Sequence, residues 1–381
     1  MHPIVIVGSG LAGYTTAREF RKLDPDTPLT LVCSDDGRFY SKPNLSNAFK
    51  LGKSHDTLAT ATAAQMAEQL NATILTHHRV RALIPTDRTL QIEDSTLEYS
   101  HLVMALGADP IRLTIDGDGV DDILAVNDLI DYGLFRQRIE DKQRLVIMGA
   151  GLIGCEFAND LVNAGFKVDV IDPADWPLSR LVPQPAGEHL QQALADQGVN
   201  WRFGTTVQRI DRDDAGYRVT LADGSELSAD AVLSAVGLVP RTGLAKAAGL
   251  AVNRGIVVDR YLRTDHQNIY ALGDCAEVDG LVLPYIMPIM HAGRALAKTL
   301  AGDATAVSYP AMPVVVKTPS HPAVVAPPSP DASGDWHSET VGNGIKAQFL
   351  SPDGQLLGFV LTGDAVKERQ ALAKALPAVL S

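Results

Sequence analysis

The chain has 381 residues, 46% of them apolar, with a formal charge of −12 and three cysteines. Such a length buries a sizeable core shared among two or three domains, and the acidic balance argues against nucleic acid or an anionic membrane surface as the main partner. No apolar run reaches the ~20 residues that a membrane-spanning helix needs, because the longest candidate, Leu145 to Gly165, is broken by Glu156, Asn159 and Asp160.

The first strand pattern, Ile4 to Val7, leaves no room before it for a charged region and an apolar signal segment, so a cytoplasmic location is expected. It runs into Gly8-Ser9-Gly10-Leu11-Ala12-Gly13 and then a helical pattern predicted over Tyr14 to Leu23. In this strand–loop–helix setting Gly8 permits a tight turn, Gly10 lets the backbone approach a pyrophosphate, and Gly13 allows helix to pack on strand. Free N–H groups and the helix dipole would then hold the phosphates. The next strand pattern, Leu29 to Val32, ends on Cys33-Ser34-Asp35-Asp36, where the ribose-binding acid expected of such a unit is displaced by one or two residues. Ser34 or Asp35 reaching the ribose and a solvated acidic turn remain alternatives.

A second copy follows. Arg144 to Met148 leads into Gly149-Ala150-Gly151-Leu152-Ile153-Gly154, a helical pattern from Cys155 to Ala164, and a strand ending on Asp172. Asp172 lies about 20 residues past the loop, where a carboxylate accepts hydrogen bonds from an adenosine ribose. It favours NAD, since a 2′-phosphate would be repelled there; Arg180, close in sequence, keeps NADP open. Hydride exchange between two identical nicotinamides accomplishes little, so one site should hold a flavin. Two buried strands that end in small-residue turns, at Ala105-Leu106-Gly107 and Ala235-Val236-Gly237, each follow one loop, and a third ends on Gly273-Asp274.

These blocks, in this order, resemble the pyridine nucleotide-disulfide reductase-like flavoproteins over nearly all of residues 1 to 310. Arg38-Phe39-Tyr40-Ser41-Lys42-Pro43, the stretch Gly151 to Asp160, and Tyr270 to Val278 are most similar to the rubredoxin-reducing branch that serves alkane hydroxylation; flavorubredoxin and ferredoxin reductases are close relatives. The resemblance implies an α/β fold: two Rossmann-like domains, one inserted in the other, and a small α+β C-terminal domain. It implies FAD at Gly8, Ser9, Gly10, Leu11, Ala12, Gly13, Cys33, Ser34, Lys42, Pro43, Val80, Ala105, Gly107 and Asp274. NAD is implied at Gly149, Gly151, Ile153, Gly154, Glu156, Asp172 and Gly237. Lys42 beside the flavin, Glu156 near the nicotinamide and a second lysine, assigned to Lys317, are the implied catalytic groups.

The boundaries expected are 1–110 and 240–312 for the FAD domain, 111–239 for the NAD domain and 313–381 for the C-terminal domain. Tyr309 to Pro330, rich in proline, reads as a connection to a last helix predicted over Ala365 to Leu376. Cys33, Cys155 and Cys275 form no CxxC and no metal knuckle, so no metal site is expected and thiol exchange is disfavoured. The reaction implied is NADH to FAD to rubredoxin, by a monomer. An NADH oxidase or peroxidase, and a flavin-binding interaction protein of the apoptosis-inducing-factor type, are the other readings. Rubredoxins are acidic, like this chain, so Lys42, Arg294 and Lys317 are expected to cluster near the flavin edge.

Overall fold

The computed structural model describes residues 2–93, 95–214 and 216–381. Short β-branched and aliphatic runs become buried parallel strands at the centre of each sheet, as sheets covered on both faces require, while the edge strands Thr73–Leu75 and Val199–Phe203 stay partly exposed. In the first sheet the order is Ile269–Ala271, His101–Met104, Ile4–Val7, Leu29–Val32 and Thr73–Leu75, all parallel. The second repeats the pattern with Val199–Phe203, Lys167–Asp172, Arg144–Met148 and Ala231–Ser234. Each is accompanied by a three-stranded antiparallel sheet, beginning at Val80–Ile84 and at Val207–Asp213. Where the chain passes between the two sheets, Ala108–Pro110 pairs antiparallel with Leu238–Pro240.

Both glycine-loop helices start earlier than the sequence pattern suggests, at Leu11–Arg21 and Leu152–Asn163. The cause is the third glycine of each loop. Residues as far back as Leu11 and Leu152 turn helical because Gly13 and Gly154 press against the carbonyls of Gly8 and Gly149, where any Cβ would collide. The first helix stops short of Leu23, because the Asp24 carboxylate accepts the amides of Asp26 and Thr27 and Pro25 cannot continue a helix.

The C-terminal region is a five-stranded antiparallel sheet ordered Val314–Val316, Ala323–Ala326, Leu356–Thr362, Gly344–Leu350 and Asp335–Val341. Two of these strands lie inside the proline-rich stretch read as a connection; Pro319 and Pro322 sit in the turn between them, and Pro310, Pro313, Pro327 and Pro328 flank them. The last helix is shorter than expected, Arg369–Ala375, preceded by a 3₁₀ turn Gly363–Glu368. Asp364 and Asn343 exchange hydrogen bonds and draw that turn onto the preceding hairpin. Among the described residues no helix is long and apolar enough to cross a membrane.

Candidate dinucleotide and electron-transfer site

Each glycine loop contains two jammed glycines and one open one. At Gly8 a Cβ would run into the carbonyl of Ala105, and at Gly149 it would meet that of Ala235 at 2.7 Å. Their φ values, +119° and +100°, are strained for any other residue. At Gly10 and Gly151, by contrast, nothing lies within 4 Å of the missing Cβ. Both open glycines cap helices that have no side-chain cap and no acid in the first turn, so the first N–H groups stay free and the dipole is uncompensated. This cradle fits a pyrophosphate.

Beside the second loop, Asp172 accepts from Ala150 N at 2.7 Å and Ala174 N at 2.9 Å, which fixes its carboxylate at the loop. The matching acid of the first loop is Asp35. It accepts Ser9 Oγ and Gly37 N, each at 3.0 Å, whereas Ser34 is exposed and the buried Cys33 thiol turns to the Leu75 carbonyl. Of the two alternatives, Asp35 is the one bonded to the loop, through Ser9. The sequence signal was the acid itself, displaced by the two-residue extension of the turn.

Lys42 opens a 3₁₀ turn, Lys42–Asn47, with Pro43 at its start. Its ammonium donates to Asn127 Oδ1 at 2.7 Å and lies 4.0 Å from Asp274 Oδ2. Desolvation lowers the Lys42 pKa against the upward pull of Asp274, and desolvation raises that of Asp274 against the downward pull of Lys42. Both shifts describe an ion pair partly withdrawn from solvent, the carboxylate more so than the ammonium. The other cation acting on Lys42 is Arg241, which reaches over Gly107. Arg294 lies exposed on helix Ile286–Leu300 and acts on His291. The cation acting on Lys42 is thus Arg241, while Arg294 acts on His291 and Lys317 on Glu156, so each cation of the expected cluster has its own partner. Ala105, Gly107 and Gly237 form the turns after the paired strands, Gly237 with Ile111 against it; Val80 is half-buried, and Ile153 is 44% exposed beside the second loop.

Glu156, 3% exposed, is where the regions meet. It accepts Ser46 Oγ at 2.5 Å, from the same turn as Lys42, and the backbone amide of Lys317 at 3.0 Å. The Lys317 ammonium also pairs with it. Lys317 thus reaches the site through Glu156. The same helical stripe continues: Asn159 and Asn163 bond Ser320, and Asp160 accepts the amides of Phe49 and Lys50 at 3.0 and 2.9 Å. Ser46, Asn127, Asn159, Asp160 and Ser320 were not foreseen, although polar residues at 156, 159, 160 and 163 in an otherwise apolar helix form a visible helical stripe.

All three cysteines are buried, and desolvation pushes the thiols of Cys33 and Cys275 up to about 12 and about 11. Neither is a thiolate near neutrality.

Two phosphate cradles on paired parallel sheets, joined by a carboxylate, define a two-dinucleotide oxidoreductase. The chain belongs to the pyridine nucleotide-disulphide oxidoreductase family, whose model matches residues 2–298, and residues 306–376 match the rubredoxin binding C-terminal domain. It is 52% identical to the rubredoxin-NAD(+) reductase of Alcanivorax borkumensis over the whole of both chains. With the rubredoxin-NAD(+) reductase of Acinetobacter baylyi it shares 48% identity over 99% of this chain and 98% of the other. A ferredoxin reductase from Rhodopseudomonas palustris superposes with a TM-score of 0.88 at 25% identity, covering 99% of this chain and 96% of that one.

Proposed function

We propose that the chain passes electrons from NADH through FAD to rubredoxin. The observation that carries this reading is the Ser46–Glu156 hydrogen bond, which joins the Lys42 turn of the first cradle to the helix of the second and so supports one junction between the two sites. Bound FAD would supply the conversion between a two-electron hydride donor and a one-electron iron carrier. The Gly10 cradle, with Asp35 and Asp274, would hold it. Lys42 supplies a cation where negative charge would gather, restrained by Asn127 and Asp274. Gly151 and Asp172 would bind the NAD phosphates and ribose, and Glu156 orients a polar group at the junction without needing to move a proton. Buried, undissociated cysteines support an outward path for the electrons rather than a thiol intermediate. The rubredoxin-reductase relatives and the C-terminal domain match support rubredoxin as acceptor. We further place the boundaries of the discontinuous first domain at the Ala108–Pro110 and Leu238–Pro240 ladder, and read the protein as a cytoplasmic monomer.

Stopped-flow mixing with NADH, followed by rubredoxin, ferredoxin or cytochrome c, tests the proposal. The flavin should bleach with NADH and recover fastest with rubredoxin. Failure to bleach refutes the proposal.

A further inference from the structure

Helix Gln184–Ala195 packs under strands Gly344–Leu350 and Leu356–Thr362, and at this contact two imidazoles meet. The His189 and His321 ring centroids are 5.0 Å apart with the planes at 45°. His321 is 5% exposed, and both His189 Nδ1 and His321 Nε2 are buried with no hydrogen-bond partner. His321 closes a tight turn: its amide donates to the Thr318 carbonyl, and Thr318 Oγ1 donates to the His321 carbonyl at 2.7 Å. The strap 317–321 therefore connects the histidine contact to the Lys317–Glu156 pair and to the Ser320 bonds with Asn159 and Asn163.

A proton added to the His321 ring would be a buried charge beside a second imidazole, and the carboxylates of the surrounding elements are already engaged. Glu188, on the same helix as His189, accepts from Gln184. On helix Leu152–Asn163, Glu156 is taken by Ser46 and Lys317, and Asp160 by two backbone amides. Lys346 of the overlying strand is paired with Glu339 and Glu368, Asp364 with Lys367, and Arg202 of the neighbouring strand with Asp169. Strand Leu356–Thr362 carries no charge.

We propose that His189 and His321 are positioning residues: their ring contact seats the strap while His321 is uncharged, and a proton on His321 unseats it and withdraws Lys317 from Glu156. The seat itself stands independently of the proposed reaction; only its effect on catalysis rests on that reading. Burial, and then His189, holds the His321 pKa below the ordinary histidine value. The sign follows. A freed strap binds the proton more readily than a seated one, so seating is complete above about pH 6.5 and weakens as pH falls through that value toward the lowered pKa.

The test is hydrogen exchange at the Lys317 and Ser320 amides, which donate to Glu156 and Asn159. It compares the wild type with the double variant His189→Phe/His321→Phe, which keeps both rings and cannot titrate. Between about pH 7.5 and 5.5, wild-type protection factors at these two amides should fall roughly fivefold or more, while those of strand Ile4–Val7 stay constant. The double variant should keep its protection. Unchanged wild-type protection, or an equal loss in the variant, overturns the proposal. If the variant does not fold, imidazole NMR of the wild type decides instead: His321 should remain neutral at a pH where free imidazole is protonated, and titration at the ordinary histidine value overturns the seat. The rate of flavin reduction by NADH should fall over the same window in the wild type and stay flat in the variant. A responsive strap with an unresponsive rate removes the positioning role.

Discussion

At the scale of single residues, the two loops separate folding from binding, position by position. Gly10 is extended, with φ −72° and ψ −173°, and faces open space, so Gly10→Val should change stability by less than about 1 kcal/mol yet abolish flavin retention. Gly13→Ala should do the reverse, costing about 2 to 4 kcal/mol because its Cβ enters the Gly8 carbonyl. Urea midpoints and flavin content after gel filtration distinguish the two. Lys42 gives a pH prediction. Desolvation lowers its pKa, so its charge is lost at lower pH than that of an ordinary lysine. The rate of flavin reduction by NADH should therefore decline on the alkaline side, and Lys42→Met should be slower throughout with that decline missing. An unchanged pH profile in the variant would remove Lys42 from the reaction.

At the scale of elements, helix Leu152–Asn163 binds the other regions together through its polar stripe. Asp160→Ala leaves the Phe49 and Lys50 amides unpaired and should cost about 2 to 4 kcal/mol in equilibrium unfolding; a value near zero would show that water replaces the carboxylate. Asp230 ties the start of strand Arg144–Met148 to the turn before Ala231, accepting the amides of Gln143 and Arg144 and the Arg144 guanidinium. Burial pushes its pKa up, but these bonds outweigh burial and hold it at about 2. A depressed carboxylate stabilises fully above the ordinary range near pH 4 and loses that contribution as pH falls toward 2. Asp230→Asn should lose about 1 to 2 kcal/mol at neutral pH, a range discounted for the partly exposed Arg144, and should lose less on further acidification than the wild type. Chemical denaturation between about pH 7 and 3 measures both.

At the scale of the whole molecule, the C-terminal sheet is not a detachable module. Val316, Ala323, Val325, Ile345, Ala347 and Val360 share one buried cluster with Ile147, Phe157 and Leu161 of the second Rossmann-like unit and Leu45 and Leu58 of the first. Ending the chain after Met312 would uncover that cluster. The truncated protein should be aggregated or expanded and should unfold without a sharp transition, whereas the full chain should show a single cooperative melt. A soluble truncated protein that still reduces its flavin with NADH would contradict this.

The sequence by itself determined the repeated α/β unit and the roles of the loop glycines, because these depend on contacts between near neighbours: strand periodicity, a turn needing positive φ, a helix starting at once. It also revealed Asp172 and the absence of paired cysteines. Tertiary structure alone decided which acid serves the first loop, since the Cys33–Asp36 turn presents two and only packing against Ser9 selects Asp35. It alone decided that Lys317 meets Glu156 across 161 residues, that Arg241 acts on Lys42, and that the prolines punctuate strands rather than a linker. Each of these depends on where distant segments cross, and no local periodicity encodes such a crossing.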